Sequence, residues 1–181
     1  MRMSVFGPPG EGDRIARRLF VPLAVVLGAL LLVFWVFFSP LQVTGDSMLE
    51  GLHEGDRVLV TRGYTTPERG DVVHIDGSEL EGARGDQVIK RVVALPGDTV
   101  RIESGRAFVN DEPEPTDSVL LLSADDVSVP ETTVPDGHLY VLGDNRPVSL
   151  DSRFYGPVPN ATVEGRLVFR YTPVTRFGPI D

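Results

Sequence analysis

Hydrophobic and polar positions follow two different rules along this chain, and the change comes near Ser39. From Leu19 to Phe38 the sequence reads LFVPLAVVLGALLLVFWVFF without a charge. About 20 apolar residues is the length a helix needs to cross the hydrocarbon core of a bilayer, so the pattern predicts one transmembrane helix at 19–38 after a short tail at 1–18. Pro22 is expected in its first turn, where a missing N–H costs least, and Trp35 near the far end, where an interfacial indole is favoured. Arg14, Arg17 and Arg18 stand immediately before the run. By the positive-inside rule they hold the N-terminus in the cytoplasm and send residues 39–181 to the extracytoplasmic face. The competing reading is a cleaved signal peptide, whose apolar core spans about 7 to 15 residues and ends at a small-x-small site. This run is longer and is followed by Ser39-Pro40-Leu41-Gln42, which offers no such site, so an uncleaved anchor is expected.

Beyond Ser39 apolar and polar residues alternate over short runs: RVLVTR (57–62), DVVHI (71–75), TVRIE (99–103), HLYVL (138–142) and VEGRLVFRY (163–171). A period of two is that of half-buried strands. Gly-Asp pairs at Gly45, Gly55, Gly70, Gly85, Gly97 and Gly143 punctuate them and predict turns that use positive φ or a side-chain cap. Ser104-Gly105 reads as the turn of a hairpin pairing Val100–Glu103 with Arg106–Val109. No long amphipathic helix follows the anchor. Residues 77–86 and 111–136, rich in polar and turn-forming residues, read as loop-rich excursions. The fold class expected is mainly β: one N-terminal transmembrane helix and an extracytoplasmic antiparallel β-sheet domain at 39–181.

Charge narrows the partners. The net charge is −9, and because the four arginines before Ser39 outnumber the two acids there, the remainder carries −11. Such an acidic domain argues against nucleic acid. The chain has no cysteine, and its three histidines, His53, His74 and His138, lack metal-ligand spacing, so neither thiolate chemistry, nor a metal, nor any other cofactor is expected. The two RGD triplets, 69–71 and 84–86, read as turns rather than adhesion signals.

One composition figure points to chemistry. Lys90 is the only lysine, against sixteen arginines. A buried amine can be driven neutral near pH 7 whereas a guanidinium cannot, and a neutral amine is a general base. Val88, Ile89, Val92 and Val93 surround Lys90 in sequence, an apolar setting that disfavours the ammonium form. The nucleophile is sought among the serines. Ser47, in VTGDSMLEGL, lies shortly after the anchor on a Gly-Asp turn beside Met48, Leu49 and Leu52. A G-x-S-x-G elbow and an S-x-x-K pair are both absent. A Ser-His-Asp triad remains open by residue count, but His53 with Glu54 and His138 with Asp136 sit in turn-rich segments where such pairs are ordinarily solvated.

GDSM at 45–48, GDRVLV at 55–60, RGDVVHI at 69–75, IKRVVALPGDTV at 89–100 and GDNRPVSLDSRFYGPVP at 143–159 resemble, in order, the boxes of bacterial type I signal peptidases, the leader peptidases. The resemblance covers nearly everything after Ser39. It implies a membrane-anchored serine endopeptidase with a Ser-Lys dyad that removes signal peptides from exported preproteins and prefers small residues at −1 and −3. Matched box by box, it implies Ser47 as nucleophile, Lys90 as general base and Ser149 as the hydroxyl that orients the base. Asp144, Arg146, Asp151 and Arg153 would be charged supports. The oxyanion would be held by the Ser47 backbone N–H, with no second donor assigned. Leu41, Val43, Met48, Leu52, Val58, His74, Val88 and Ile89 would line the substrate groove. The implied partners are signal peptides, membrane lipid and the export machinery. The chain departs from the family pattern at Gly45, where some members place an oxyanion-donating serine, at Glu50-Gly51, at Pro147-Val148, and at His74, where an aliphatic residue is common. A self-cleaving Ser-Lys regulator or a non-enzymatic anchored β-module would use some of the same features; the first needs a recognition domain and the second leaves the lone lysine unexplained.

Overall fold

The computed structural model describes residues 11–78, 80, 85, 87–103, 105–115 and 128–180, with only the backbone of 11–16. The chain divides into two compact units, Met1–Phe37 and Phe38–Asp181. The first holds helix α1, Glu11–Phe37. Its stretch Arg17–Phe37, with a mean hydropathy of 2.8 and no buried residue, is long and apolar enough to cross a membrane. Pro22 is not in the first turn, contrary to the sequence expectation, because the helix begins at Glu11, well before the apolar run. A proline inside a helix removes one backbone hydrogen bond there. The apolar helix also ends one residue early, and Phe38 opens the first strand.

The second unit is antiparallel throughout its described pairings. Its strands are β1 (Phe38–Gln42), β2 (Arg57–Arg62), β3 (Val72–Asp76), β4 (Gln87–Ala94), β5 (Thr99–Glu103), β6 (Arg106–Val109), β7 (Glu112–Pro113), β8 (Val129–Thr133), β9 (His138–Leu142), β10 (Val158–Pro159), β11 (Val163–Thr172) and β12 (Gly178–Pro179). A short helix α2, Ser152–Tyr155, lies between β9 and β10. The larger sheet runs β1-β2-β11-β3-β4-β9-β10 with β12 beside β11, and a smaller one runs β7-β6-β5-β8. All five alternating runs become strands, but half-burial does not account for all of them: β3 is buried at 72–75 and β9 at 139–142, because both lie inside the larger sheet and are covered on both faces. In β2, Val58 and Val60 are buried while Arg57 and Arg62 face solvent. The β5–β6 hairpin pairs Val100 with Val109 and Glu103 with Arg106 as expected; Ser104 lies outside the described residues. So does most of the expected 77–86 loop, and 116–127 of the 111–136 excursion, whose remainder contributes β7 and β8.

Three apolar clusters form the core. One joins the two sheets through Val93 and Ala94, Val100 and Ile102, Ala107 and Val109, and Tyr140 and Leu142. The others lie under the larger sheet, around Val43, Met48, Leu52 and Val58, and around Val73, Ile75, Val92 and Val141. Burying such a side chain is worth about 1.5–3 kcal/mol each.

A buried ion pair adds a second tie between the sheets. Arg146, whose side chain is 0% exposed, places Nη1 2.5 Å and Nη2 2.6 Å from the two oxygens of Glu114, itself 8% exposed. Glu114 also accepts from the Ala107 N–H, and Arg146 donates to the carbonyls of Gly143 and Gly105. Glu114→Ala would leave a guanidinium buried without its counter-charge, a loss of about 3–5 kcal/mol. We expect thermal denaturation of the detergent-solubilised variant to show a lower midpoint. A midpoint within a degree or so of wild type would mean that the pair contributes nothing.

Candidate active site

Ser47 sits on the turn between β1 and β2. Leu49 donates to the Asp46 carbonyl at 3.2 Å and Leu52 to the Met48 carbonyl at 2.8 Å, which coils the segment tightly after the serine. Gly45, at φ +79°, makes the turn before it with a backbone that a side chain would strain. Met48 is buried at 2% exposure and anchors the turn in the core, leaving Ser47 partly exposed above it.

Lys90 approaches from the middle of β4. Its side chain is buried, and Nζ lies 2.8 Å from Ser47 Oγ and 3.0 Å from the Ile89 carbonyl oxygen. Among the described residues no other group bonds Ser47 Oγ. Burial pushes the amine from the ordinary 10.5 down to about 8; the Asp151 carboxylate pulls it up, the Arg153 guanidinium pushes it down, and Asp144 pulls it up. The ammonium donates to Oγ, and once deprotonated the same nitrogen accepts the hydroxyl proton across the same distance. That is the arrangement of a general base and its nucleophile.

The segment after β9 holds this pair in place. Asn145 donates its backbone N–H to the Ser47 carbonyl at 3.0 Å and its side-chain amide to the Asp46 carbonyl at 3.0 Å, so it grips the nucleophile turn twice. Asp144, 0% exposed, takes two hydrogen bonds from Arg91, the neighbour of the lysine on β4, at 2.8 and 2.7 Å. Asp151 accepts the Gly143 N–H at 3.0 Å and caps α2. Arg153 is bonded to Asp151 through Nε at 2.7 Å and reaches the carbonyls of Arg146 and Ser149. The four expected charged residues thus brace the site without bonding Ser47 Oγ or Lys90 Nζ.

Gly143 departs from the turn role expected of it. The other five Gly-Asp glycines have positive φ, whereas Gly143 is needed for close approach. A Cβ there would lie 2.1 Å from Ser149 Oγ and 2.6 Å from the Ser47 carbonyl oxygen. Ser149 Oγ is itself buried and has no hydrogen-bond partner in this structure, so the contact to Lys90 that the resemblance implies is not made. The Ser47 N–H likewise has no acceptor among the described residues, and is free to bind an oxyanion.

A groove of about 670 Å³ runs past the pair. Leu41, Val43, Met48, His74, Val88 and Ile89 line it together with Ser47, Lys90 and Ser149. Leu52 and Val58, also expected there, lie instead in the core cluster beneath, at 2% and 0% exposure, enclosed with Val43, Met48 and Leu167. Neither His53 nor His138 lines the groove, which leaves both triad readings without geometry. The sequence reading missed Asn145 and Gln87, although Asn145 stands in the same GDNRP run as Asp144. It also missed Val148 and Phe154, exposed apolar side chains on the rim.

Comparison with known proteins shows the family of the chain. The family model described as "Signal peptidase, peptidase S26" matches residues 16–172. The chain belongs to that family. Its relatives include a probable signal peptidase I-1 of Synechocystis, 37% identical over 87% of this chain and 82% of the relative. The signal peptidase I of Bacillus licheniformis is 35% identical over 88% of this chain and 89% of its own. Among solved structures, a signal peptidase I of Enterococcus faecalis is 31% identical and covers 56% of this chain and 97% of that one, with a TM-score of 0.46.

For this signal peptidase family member the packing at Gly143 has a direct consequence. Overpacking a full site costs about 1–3 kcal/mol and displaces what it touches, here the Ser47 carbonyl and Ser149. Gly143→Ala should therefore lower leader cleavage by at least about 100-fold, since 1 Å of misplacement at a reacting group has that effect. A cleavage assay giving near wild-type rate would show that the segment after β9 does not fix the nucleophile.

Proposed function

We propose that this protein is a membrane-anchored endopeptidase that removes leader peptides from exported preproteins, with Ser47 as nucleophile and Lys90 as general base. The observation that carries the proposal is the 2.8 Å contact between Lys90 Nζ and Ser47 Oγ, made by a buried amine whose pKa is lowered to about 8. An unshifted lysine would be neutral about once in a thousand at pH 7.4. At a pKa of about 8 roughly one-fifth is neutral, and a docked leader that expels more water shifts the balance further.

The steps follow from those positions. Oγ attacks the scissile carbonyl carbon as its proton passes to Nζ, and the carbonyl oxygen becomes an oxyanion facing the Ser47 N–H. Collapse breaks the C–N bond, and Nζ returns the proton to the departing amine. Water then attacks the acyl ester, giving a proton to Nζ, and the second collapse returns it to Ser47. The acid is released and both groups are restored. Asp144, Arg146, Asp151 and Arg153 support the pair, and Ser149 borders it. Small side chains are favoured at −1 and −3 because an extended leader points alternate residues into the same wall.

The apolar helix supports anchoring by α1, and Arg14, Arg17 and Arg18 before it favour an N-terminus in the cytoplasm with residues 39–181 outside, acting beside membrane lipid and the export machinery. There the anchor keeps Ser47 near the point where an inserted leader emerges.

The decisive test uses a synthetic leader with Ala at −3 and −1 and mass analysis of the products. Lys90→Arg keeps the charge and removes the base, and should lower cleavage by at least 10²- to 10⁴-fold. Ser47→Ala should be equally inactive and the double variant no worse, because the two groups act as one unit. Ser149→Ala should lose less. A folded Lys90→Arg protein that cleaves at near wild-type rate would end the dyad reading.

The pH profile provides an independent check. Lys90 works only when deprotonated, so kcat/KM should rise with pH through a midpoint near 8 and fall away below it. A profile flat between pH 6 and 9 would contradict the base assignment.

A further inference from the structure

His74 is the one groove position where an imidazole stands among apolar neighbours, and its surroundings give it a defined chemistry. In β3, Val73 and Ile75 face the core cluster with Val92 and Val141, so the alternating positions Val72 and His74 face the opposite side. The register pairs His74 with Ile89 on β4, the residue before the lysine. The side chain is 7% exposed, and Nδ1 lies 2.9 Å from Glu164 Oε2 on β11. A carboxylate only accepts, so it favours the proton on Nδ1 and leaves Nε2 as a lone-pair acceptor. Nε2 is buried and has no partner within hydrogen-bond geometry among the described residues, and the Gln87 side chain, near enough to the ring to raise its pKa through a hydrogen bond, is its competitor for a donor. Burial lowers the ring below its ordinary 6.5, against Glu164, Asp76 and Gln87, which each raise it, so the neutral form prevails at pH 7.

A buried acceptor left unpaired is costly, and a ligand that supplies the missing donor recovers that cost. The groove brings such a ligand to it. Lys90 and Met48 flank Ser47 and so meet the −1 side chain, while His74 lies on the strand beyond β4. The next residue of an extended peptide to face the same wall is −3, about 6.5–7 Å farther along. Gln87, an exposed side chain on β4 diagonal to His74, borders the ring and interacts with it, so a leader hydroxyl has to displace the amide to reach Nε2.

We propose that His74 makes the far subsite selective for a hydroxyl-bearing side chain, serine or threonine, at −3 of the leader, with the hydroxyl donating to Nε2. This rests on the leader-peptidase reading, and it replaces a purely apolar subsite by one with a single polar contact. Threonine and valine have nearly the same shape, so their ratio isolates the hydroxyl. Size alone does not separate them.

The test measures kcat/KM for leaders that carry Thr or Val at −3 and Ala at −1, and takes the Thr/Val ratio within each enzyme so that differences in active fraction cancel. The wild type should prefer Thr by about 2- to 10-fold, the value of one neutral hydrogen bond. In His74→Leu and His74→Val the ratio should fall to one or below, and in Gln87→Ala it should be retained. The same Thr-for-Val exchange at −1 should give a ratio that His74→Leu leaves unaltered. A wild-type ratio of one or less overturns the proposal without recourse to any variant. A ratio that survives His74→Leu but collapses in Gln87→Ala overturns it by assigning the hydroxyl to the amide. Failure of the wild type to cut either leader or the Ala/Ala leader would overturn the leader-peptidase reading itself, whereas cutting with no −3 discrimination removes only the role given to His74.

Discussion

A lysine amine held at 2.8 Å from a serine hydroxyl in an acidic protein sets the central constraint of this structure. The proposed base role needs the amine close to neutral at physiological pH, yet Asp144 and Asp151, both 0% exposed, lie near enough to raise its pKa. At about 4 Å and an effective dielectric constant near 20, one unpaired carboxylate attracts an ammonium by about 4 kcal/mol, which is about 3 pKa units. A single bare acid would undo the effect of burial. The structure answers by giving each acid its own arginine: Arg91 forks onto Asp144 and Arg153 onto Asp151. Asp151 also accepts the backbone N–H groups of Gly143 and Arg153, and the Arg153 guanidinium beside it offsets part of its pull on Lys90.

Much of this was legible because the informative residues obey local rules. Alternation in RVLVTR and TVRIE gives strands because one face of each is buried, and the hairpin at Ser104-Gly105 follows from a short turn between two such runs. The lone lysine stood out through side-chain chemistry alone, with no geometry needed. What escaped the sequence depends on packing between distant segments. Asn145 acts through its backbone N–H on Ser47, a contact between residues 98 apart that no local pattern encodes. Gly143 looked like its Gly-Asp siblings and differs only because two other segments press against its Cα. Leu52 and Val58 have the composition of groove residues, but the turn around Met48 sends Leu52 inward and the alternation of β2 sends Val58 the same way. Pro22 was placed by the start of the apolar run, whereas the helix starts by hydrogen bonding at Glu11.

Ser149 shows where resemblance and geometry separate. The family pattern makes its hydroxyl a partner of the base, but here the second acceptor on Lys90 Nζ is the Ile89 carbonyl, part of the same strand. Orientation by a neighbouring carbonyl needs no distant side chain, so the lysine is aimed by β4 itself. Ser149 Oγ, buried against Gly143, remains an unpaired polar atom beside the reacting groups. Unpaired buried atoms at a site are sinks for incoming donors and acceptors, and the groove contains two of them, Ser149 Oγ and His74 Nε2.

The position of the nucleophile is therefore set from outside its own turn. The bonds that coil residues 46–52 fix the shape of the turn, and buried Met48 and Leu52 seat it in the core. Asn145 adds two hydrogen bonds, each worth about 0.5–1.5 kcal/mol, and Arg91 on β4 ties the Asn145 segment to the strand carrying the lysine through Asp144. Ser47 and Lys90 are thereby both tied to one common segment, residues 143–146. Arg146 pins the same segment to the second sheet through Glu114. A rigid reference of this kind is what the proposed proton transfer over 2.8 Å would require, because the hydroxyl and the amine would have to keep their separation while peptide, acyl ester and water succeed one another in the groove.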